Sequence, residues 1–344
     1  MVDPAPDAAL LPDARHWVRR LARYKTPDSR RAALELGITV IPFAGLWATM
    51  AIGMTFGFWP VLLLILPTAG LLVRLFMIQH DCGHGSFFAS RIANDWTGRL
   101  IGVLTLTPYA FWKQTHATHH ASSGSLEQRG IGDIDTLTVA EYQERSSIDR
   151  LKYRLYRHPL VMFGLGPAYL FLVQHRLPVG LFRAGWRPWA SAMGTNATIV
   201  VLILALLQVI TLPVFLLVHL PVLLIASTVG VWLFFVQHQF EQTVWESGTQ
   251  WQWHDAALHG SSHYDLPGIL RWFTANIGVH HVHHLCSRIP FYRLPEVLRD
   301  NPELREVNRL TLSESLGCVR LALWDEDRRR LVGFRDVEPV VPAN

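Results

Sequence analysis

Charge is scarce in this chain. Asp, Glu, Lys and Arg make up only 17% of its 344 residues while 50% are hydrophobic. Soluble domains carry about 25% charged residues, so the balance points to a membrane. Cysteine is scarcer still, with three in all, Cys82, Cys286 and Cys318. That excludes a disulfide scaffold and a four-thiolate zinc or iron–sulfur site. Buried, reduced thiols are expected instead, in a chain whose polar parts face a reducing compartment. No Gly/Ser linker, internal repeat or low-complexity tract divides the sequence. Its opening, MVDPAPDAALLPDARHWVRR, lacks an apolar run behind a basic head, so no cleaved secretory signal is expected. The net charge of +4 comes from basic residues scattered among apolar spans. Nucleic acid, which needs a basic stripe, is therefore not an expected partner. Anionic lipid headgroups suit this charge better.

Two stretches have no charge at all: Leu36 to Val73, broken near Phe58-Trp59-Pro60, and Pro188 to Phe240, broken near Thr211-Leu212-Pro213. A spanning helix needs about 20 apolar residues, so each stretch holds two spans. The expected positions are 36–56, 60–79, 194–212 and 214–236, forming two hairpins. Arg15, Arg19, Arg20, Arg23, Lys25, Arg30 and Arg31 precede the first span, which places the N-terminus in the cytoplasm by the positive-inside rule. Arg74 sits near the inner end of a span and is expected to snorkel toward water. The segments 100–112 and 159–173 are apolar but short. If either crossed alone, it would put histidine-rich segments on opposite sides of the bilayer, so both are expected to be interfacial or re-entrant helices. The predicted fold is an all-α integral membrane protein whose four transmembrane helices carry a histidine-rich cytoplasmic cap. It comprises a basic N-terminal segment (1–34), one membrane domain (35–330) and a C-terminal tail (331–344).

Histidine is abundant, with 17 residues. HDCGH supplies His80 and His84, HATHH supplies His116, His119 and His120, and HHVHH supplies His280, His283 and His284. Residues three and four apart project from one face of a helix, so each cluster is a claw of imidazoles. Imidazole suits zinc, copper, iron and nickel. Eight such ligands exceed the needs of one four-coordinate ion, and two ions sharing them is the simplest arithmetic. His238, directly after the fourth span, is the candidate ninth ligand. His281 falls about 100° around the helix from His280 and is left out. His254, His259 and His263 form a looser group expected at the surface or behind the ligands. Asp81, inside the first cluster, is a candidate acceptor for a ligand imidazole's outer N–H. The GDIDT segment with Asp133 and Asp135 is expected to be a solvated loop.

HDCGH, THATHHASSGSLE and GVHHVHHLCSRIP together resemble the three histidine boxes of the membrane fatty acid desaturases, over roughly residues 35 to 330. The short first box, SSGSLE and QHQFE are most similar to the acyl-lipid omega-6 (delta-12) and omega-3 branch. This resemblance implies that His80, His84, His116, His119, His120, His280, His283 and His284, with His238, hold a non-haem di-iron centre. It implies O2-dependent introduction of a double bond into a lipid-linked acyl chain, at the cytoplasmic face of a membrane, expected to be a bacterial inner membrane. Asn276 lies where a polar residue would hold a metal-bound water, but its spacing matches weakly and it is not assigned. The Glu-x-x-His pairs of soluble di-iron bundles are missing. So are an HPGG haem-binding segment and a dinucleotide fingerprint, so electrons are expected from a separate ferredoxin or cytochrome b5-like carrier.

Two other functions fit some of these features. A membrane hydroxylase, epoxygenase or ketolase would use the same boxes, although the alkane-hydroxylase box NYxEHYG is missing. A metal transporter would need ionisable residues in mid-span, and the 194–236 region offers mainly Gln208, Thr211 and His219.

Overall fold

The computed structural model describes residues 14–130 and 132–337. The short helix α1 (Ala14–Leu21) buries Trp17 and Leu21 in the main core. Asp28 then caps α2 (Ser29–Thr55), accepting from the amides of Arg30 and Arg31, which satisfies donors that a helix start leaves open. A 3-10 segment (Trp59–Leu64) leads into α3 (Ile65–His84). Helices α4 (Arg91–Leu104) and α5 (Tyr109–Ser122) follow, joined by a tight turn.

Strand β1 (Leu137–Thr138), α6 (Val139–Glu144) and α7 (Ser147–Tyr156) lead to a π-helical turn and α8 (Gly166–Leu172). Then come the long helices α9 (Trp186–Leu206) and α10 (Leu212–His238). The remainder is a cap of short elements: α11 (Trp253–His259), β2 (His263–Asp265), α12 (Gly268–Phe273), α13 (His280–Leu285), α14 (Leu294–Asp300), β3 (Arg309–Thr311), α15 (Leu312–Ser315), β4 (Leu323–Asp325) and β5 (Arg330–Val332).

Four of the described helical segments are long and apolar enough to cross a membrane: 29–55, 59–84, 186–206 and 212–238. They coincide with the four expected spans but differ at the ends. The third begins at Trp186 and stops at Leu206, well before 212, because the chain turns ahead of Pro213. The second runs on to His84, so the first histidine pair sits on the span's own last turn. Segment 100–112 is the end of α4, a turn and the start of α5. Segment 159–173 is the π turn and α8. The molecule is mostly helical, not all-α. Strands β1, β4 and β5 form one small sheet and β2 pairs in parallel with β3. The β2–β3 pair braces the third histidine cluster, since His263 also bridges to Val279.

Helix α3 is the central post, packed against α2, α4 and α10. Arg74 on this helix does not snorkel. Its side chain is 2% exposed and its guanidinium pairs with Glu35 of α2, itself 3% exposed. It also donates to Thr39 Oγ1 and to the carbonyl of Trp272, whose indole lies under it. Glu35 stands one residue outside the uncharged window, so the sequence pattern hides the pair. All three cysteines are buried free thiols.

Candidate metal centre

Each histidine cluster is delivered by the end of an element. On α3, His80 and His84 lie one turn apart. Gly85, in the left-handed conformation (φ 66°), stops the helix just after them, its amide returning to the carbonyls of Asp81 and Cys82. On α5, His116, His119 and His120 share one face, and Trp253 Nε1 donates to the His120 carbonyl at 2.8 Å. His238 is the last residue of α10. On the short α13, the amides of His280 and His281 both donate to the Ser262 carbonyl. The chain enters α13 through Gly278, where a Cβ would come within 2.3 Å of the Tyr264 carbonyl oxygen, so only glycine allows that approach.

These four helix ends bring all nine candidate histidines together in two groups. His80, His84, His116, His120 and His283 form one, and His119, His238, His280 and His284 the other. In each group the donor nitrogens all lie within 4.8 Å of one another. In the first, His116 Nε2 is 3.0 Å from His84 Nε2 and 3.1 Å from His120 Nε2, which is 3.1 Å from His283 Nε2. In the second, His119 Nε2 is 3.2 Å from His238 Nε2 and 3.3 Å from His284 Nε2, while His280 and His238 are 3.0 Å apart.

These spacings test the fit of a metal ion. Two nitrogens bound at about 2.1 Å from one ion are about 3.0 Å apart at right angles and about 3.4 Å apart in a tetrahedron. The nitrogen–nitrogen contacts thus have the lengths that the edges of a coordination shell would have. Burial holds His116, His120, His280, His283 and His284 well below the ordinary imidazole range. These rings are therefore neutral, the form that binds metal.

The outer ring nitrogens explain how the inner ones are aimed. His119 Nδ1 donates to Asp133, whose side chain is only 6% exposed. His238 Nδ1 meets the Gly260 carbonyl at 3.2 Å and His80 Nδ1 meets Asp81 Oδ1 at 3.3 Å. A carboxylate or carbonyl on the outer nitrogen fixes the tautomer and presents Nε2 to an ion.

Asp81 takes the backing place expected of it, and its other oxygen accepts from the Phe291 amide at 2.6 Å. Asp133 overturns the solvated-loop expectation, because the loop after α5 folds back under His119. Asp135 in the same loop is exposed. His281 is buried away from both groups, its Nε2 on the Leu304 carbonyl at 2.8 Å. His263 bonds the Arg305 carbonyl, and neither His254 nor His259 joins a group. Asn276 donates to the Phe291 carbonyl. Trp253 and the Gly260 carbonyl were not found by sequence reasoning, since neither stands at a spacing that links it to a histidine.

Comparison with known proteins agrees with this geometry. A model of the fatty acid desaturase family matches residues 57–314. The chain is similar to a fatty acid desaturase of Bacillus subtilis, 41% identical over 322 residues, covering 94% of this chain and 91% of that one. It is also similar to an sn-1 acyl-lipid omega-3 desaturase (ferredoxin) of Synechocystis, 31% identical over 275 residues, 76% of this chain and 71% of that one. An sn-1 oleoyl-lipid 12-desaturase of Synechocystis is 26% identical over 246 residues, 66% of this chain and 64% of that one. Metal-ready histidines, apolar helices and these similarities lead to one assignment: the chain belongs to the fatty acid desaturase family.

Proposed function

We propose that this oxidoreductase introduces a double bond into an acyl chain of a membrane lipid. One O2, two electrons and two protons are consumed as a CH2–CH2 pair becomes CH=CH, and two waters leave. The electrons come from a separate carrier, a ferredoxin or a cytochrome b5-like protein; relatives named for ferredoxin and for acyl-lipid substrates favour this reading. The observation that carries it is the convergence of nine imidazoles into a five-nitrogen and a four-nitrogen group.

Two iron ions fit these donors. His80, His84, His116, His120 and His283 would hold one, and His119, His238, His280 and His284 the other. When bound, such a pair supplies the capacity to reduce O2 and to take hydrogen from an unactivated C–H bond. The protein's own residues keep His116, His120, His280, His283 and His284 neutral by burial and aim His119, His80 and His238 through Asp133, Asp81 and the Gly260 carbonyl. The same reading puts the four long helices across the bilayer, with both termini and the histidines on the cytoplasmic side.

The test is the fatty acid profile of a desaturase-free host making this chain, with double bonds located by mass spectrometry. A new double bond, absent with His120→Ala, is expected. A new hydroxyl group, or no new product, contradicts the proposal.

A further inference from the structure

Helix α7 turns greasy side chains away from the protein. Ile148, Leu151 and Leu155 stand three and four residues apart, so they lie within about 60° of one another around the helix. Each is more than half exposed. On the opposite face Tyr153, and Arg157 just past the helix end, are buried. Lys152 and Arg154 stand on either side of the exposed stripe, both pointing to solvent. A lone outward leucine needs no explanation, but a contiguous apolar stripe marks a contact surface.

The chain beyond α7 indicates what covers the stripe. The π-helical turn and α8 pack against α10, a helix of spanning length. Thr228 of α10 donates to the Phe163 carbonyl at 2.9 Å, and the Phe163 ring meets Trp232 and Phe235 at 5.0 and 5.1 Å. Leu160, Leu165 and Tyr169 are exposed along this stretch. Outward apolar side chains therefore continue along the chain from α7 to the flank of a spanning helix. An apolar stripe between cations suits a helix lying in a membrane interface, with its carbon face in the acyl chains and its cations at the phosphates.

The inner face of α7 grips what supports the metal centre. The Asp135 amide donates to the Tyr156 hydroxyl and the Leu137 amide to the Tyr153 hydroxyl, both at 3.1 Å. Arg157 donates to the Asp135 carbonyl at 3.2 Å and to Gln239 Oε1 at 2.8 Å. Asp135 lies two residues past Asp133, the carboxylate on His119, and Gln239 directly follows His238. We propose that α7 seats Ile148, Leu151 and Leu155 in the cytoplasmic leaflet. Tyr153, Tyr156 and Arg157 are positioning residues that carry this seat through to His119 and His238. For what those histidines hold, this rests on the desaturase reading; it adds a lipid contact that steadies the four-nitrogen group.

The first test places spin labels on Ile148→Cys, Leu151→Cys, Leu155→Cys and Glu144→Cys, one at a time, in the full chain. The native thiols are buried. In vesicles of phosphatidylglycerol and phosphatidylethanolamine, labels on the stripe should collide with O2 and be shielded from a water-soluble nickel chelate. The label at 144 should show the reverse. Stripe labels open to nickel put the face in water, and labels shielded from both reagents put it against a second copy; either result overturns the seat. The second test is chelator competition in the same vesicles. Leu151→Glu should weaken iron retention by about tenfold, as loss of a ligand's outer partner does, while the apolar Leu151→Phe keeps the wild-type value. If Leu151→Glu does not accumulate, Leu151→Ser is read by the same criterion. Wild-type retention in the polar variant overturns the coupling and leaves the desaturase reading intact. Wild-type protein that holds no iron overturns that reading and the coupling together, whereas the label test judges the membrane seat without any metal.

Discussion

A ligand imidazole has two nitrogens, and the outer one must be held for the inner one to point at an ion. Asp133 does this for His119 from a side chain that is almost wholly buried. Outer partners of this kind are worth about 10–100-fold in metal affinity. Asp133→Ala is therefore expected to weaken retention of metal in the four-nitrogen group by about that factor. Asp133→Asn, which keeps an acceptor oxygen, should lose less. Chelator competition on the purified protein measures this, and unchanged retention in Asp133→Ala contradicts it. The ligand candidates were legible in the sequence because helical spacing is local: His116, His119 and His120 declare a shared face without knowledge of the rest. Asp133 was not, because it follows His119 by 14 residues through irregular backbone, and no periodicity says where such a loop returns.

Among the elements, α3 organises the site with more than its two histidines. The ring of Phe273 fills the space beside Gly70, where a Cβ would lie 2.7 Å from it. One turn on, Arg74 holds the Trp272 carbonyl, and two turns further Asp81 holds the Phe291 amide. These contacts grip the chain before and after the third histidine cluster, so the post that carries the first cluster also locates the last. Glu35 and Arg74 are both buried, and stripping a buried charge of its partner costs about 3–5 kcal/mol. Glu35→Leu should therefore lower the thermal unfolding midpoint of the solubilised protein sharply, and adding Arg74→Met should recover much of the loss. A midpoint unmoved by Glu35→Leu contradicts this role. The pair was hidden in the sequence because its members stand 39 residues apart, whereas the spans themselves were legible from their lack of charge. Span ends were less legible, since packing carries α3 on through the weak helix formers His80, Asp81, Cys82 and Gly83 to His84 and a turn ends α9 early at Leu206.

For the whole molecule, the proposal places the turns after the first and third long helices outside and the chain before the third inside. The native thiols are buried, so introduced cysteines report cleanly. Phe58→Cys and Val209→Cys, at positions 59% and 77% exposed, should label from the outer side of intact cells. Gly185→Cys should label only after permeabilisation, and the reverse pattern contradicts the orientation. The C-terminal cap with its short strands was the part least visible beforehand, because two- and three-residue strands leave no alternation to read.

The central claim, two ions held by nine imidazoles, is tested most directly by metal analysis of the purified, active protein. About two irons per chain are expected, one for each nitrogen group. His120→Ala should lower the content through the five-nitrogen group, and His284→Ala through the four-nitrogen group. Active protein without iron, or both variants retaining the wild-type amount, would contradict the account.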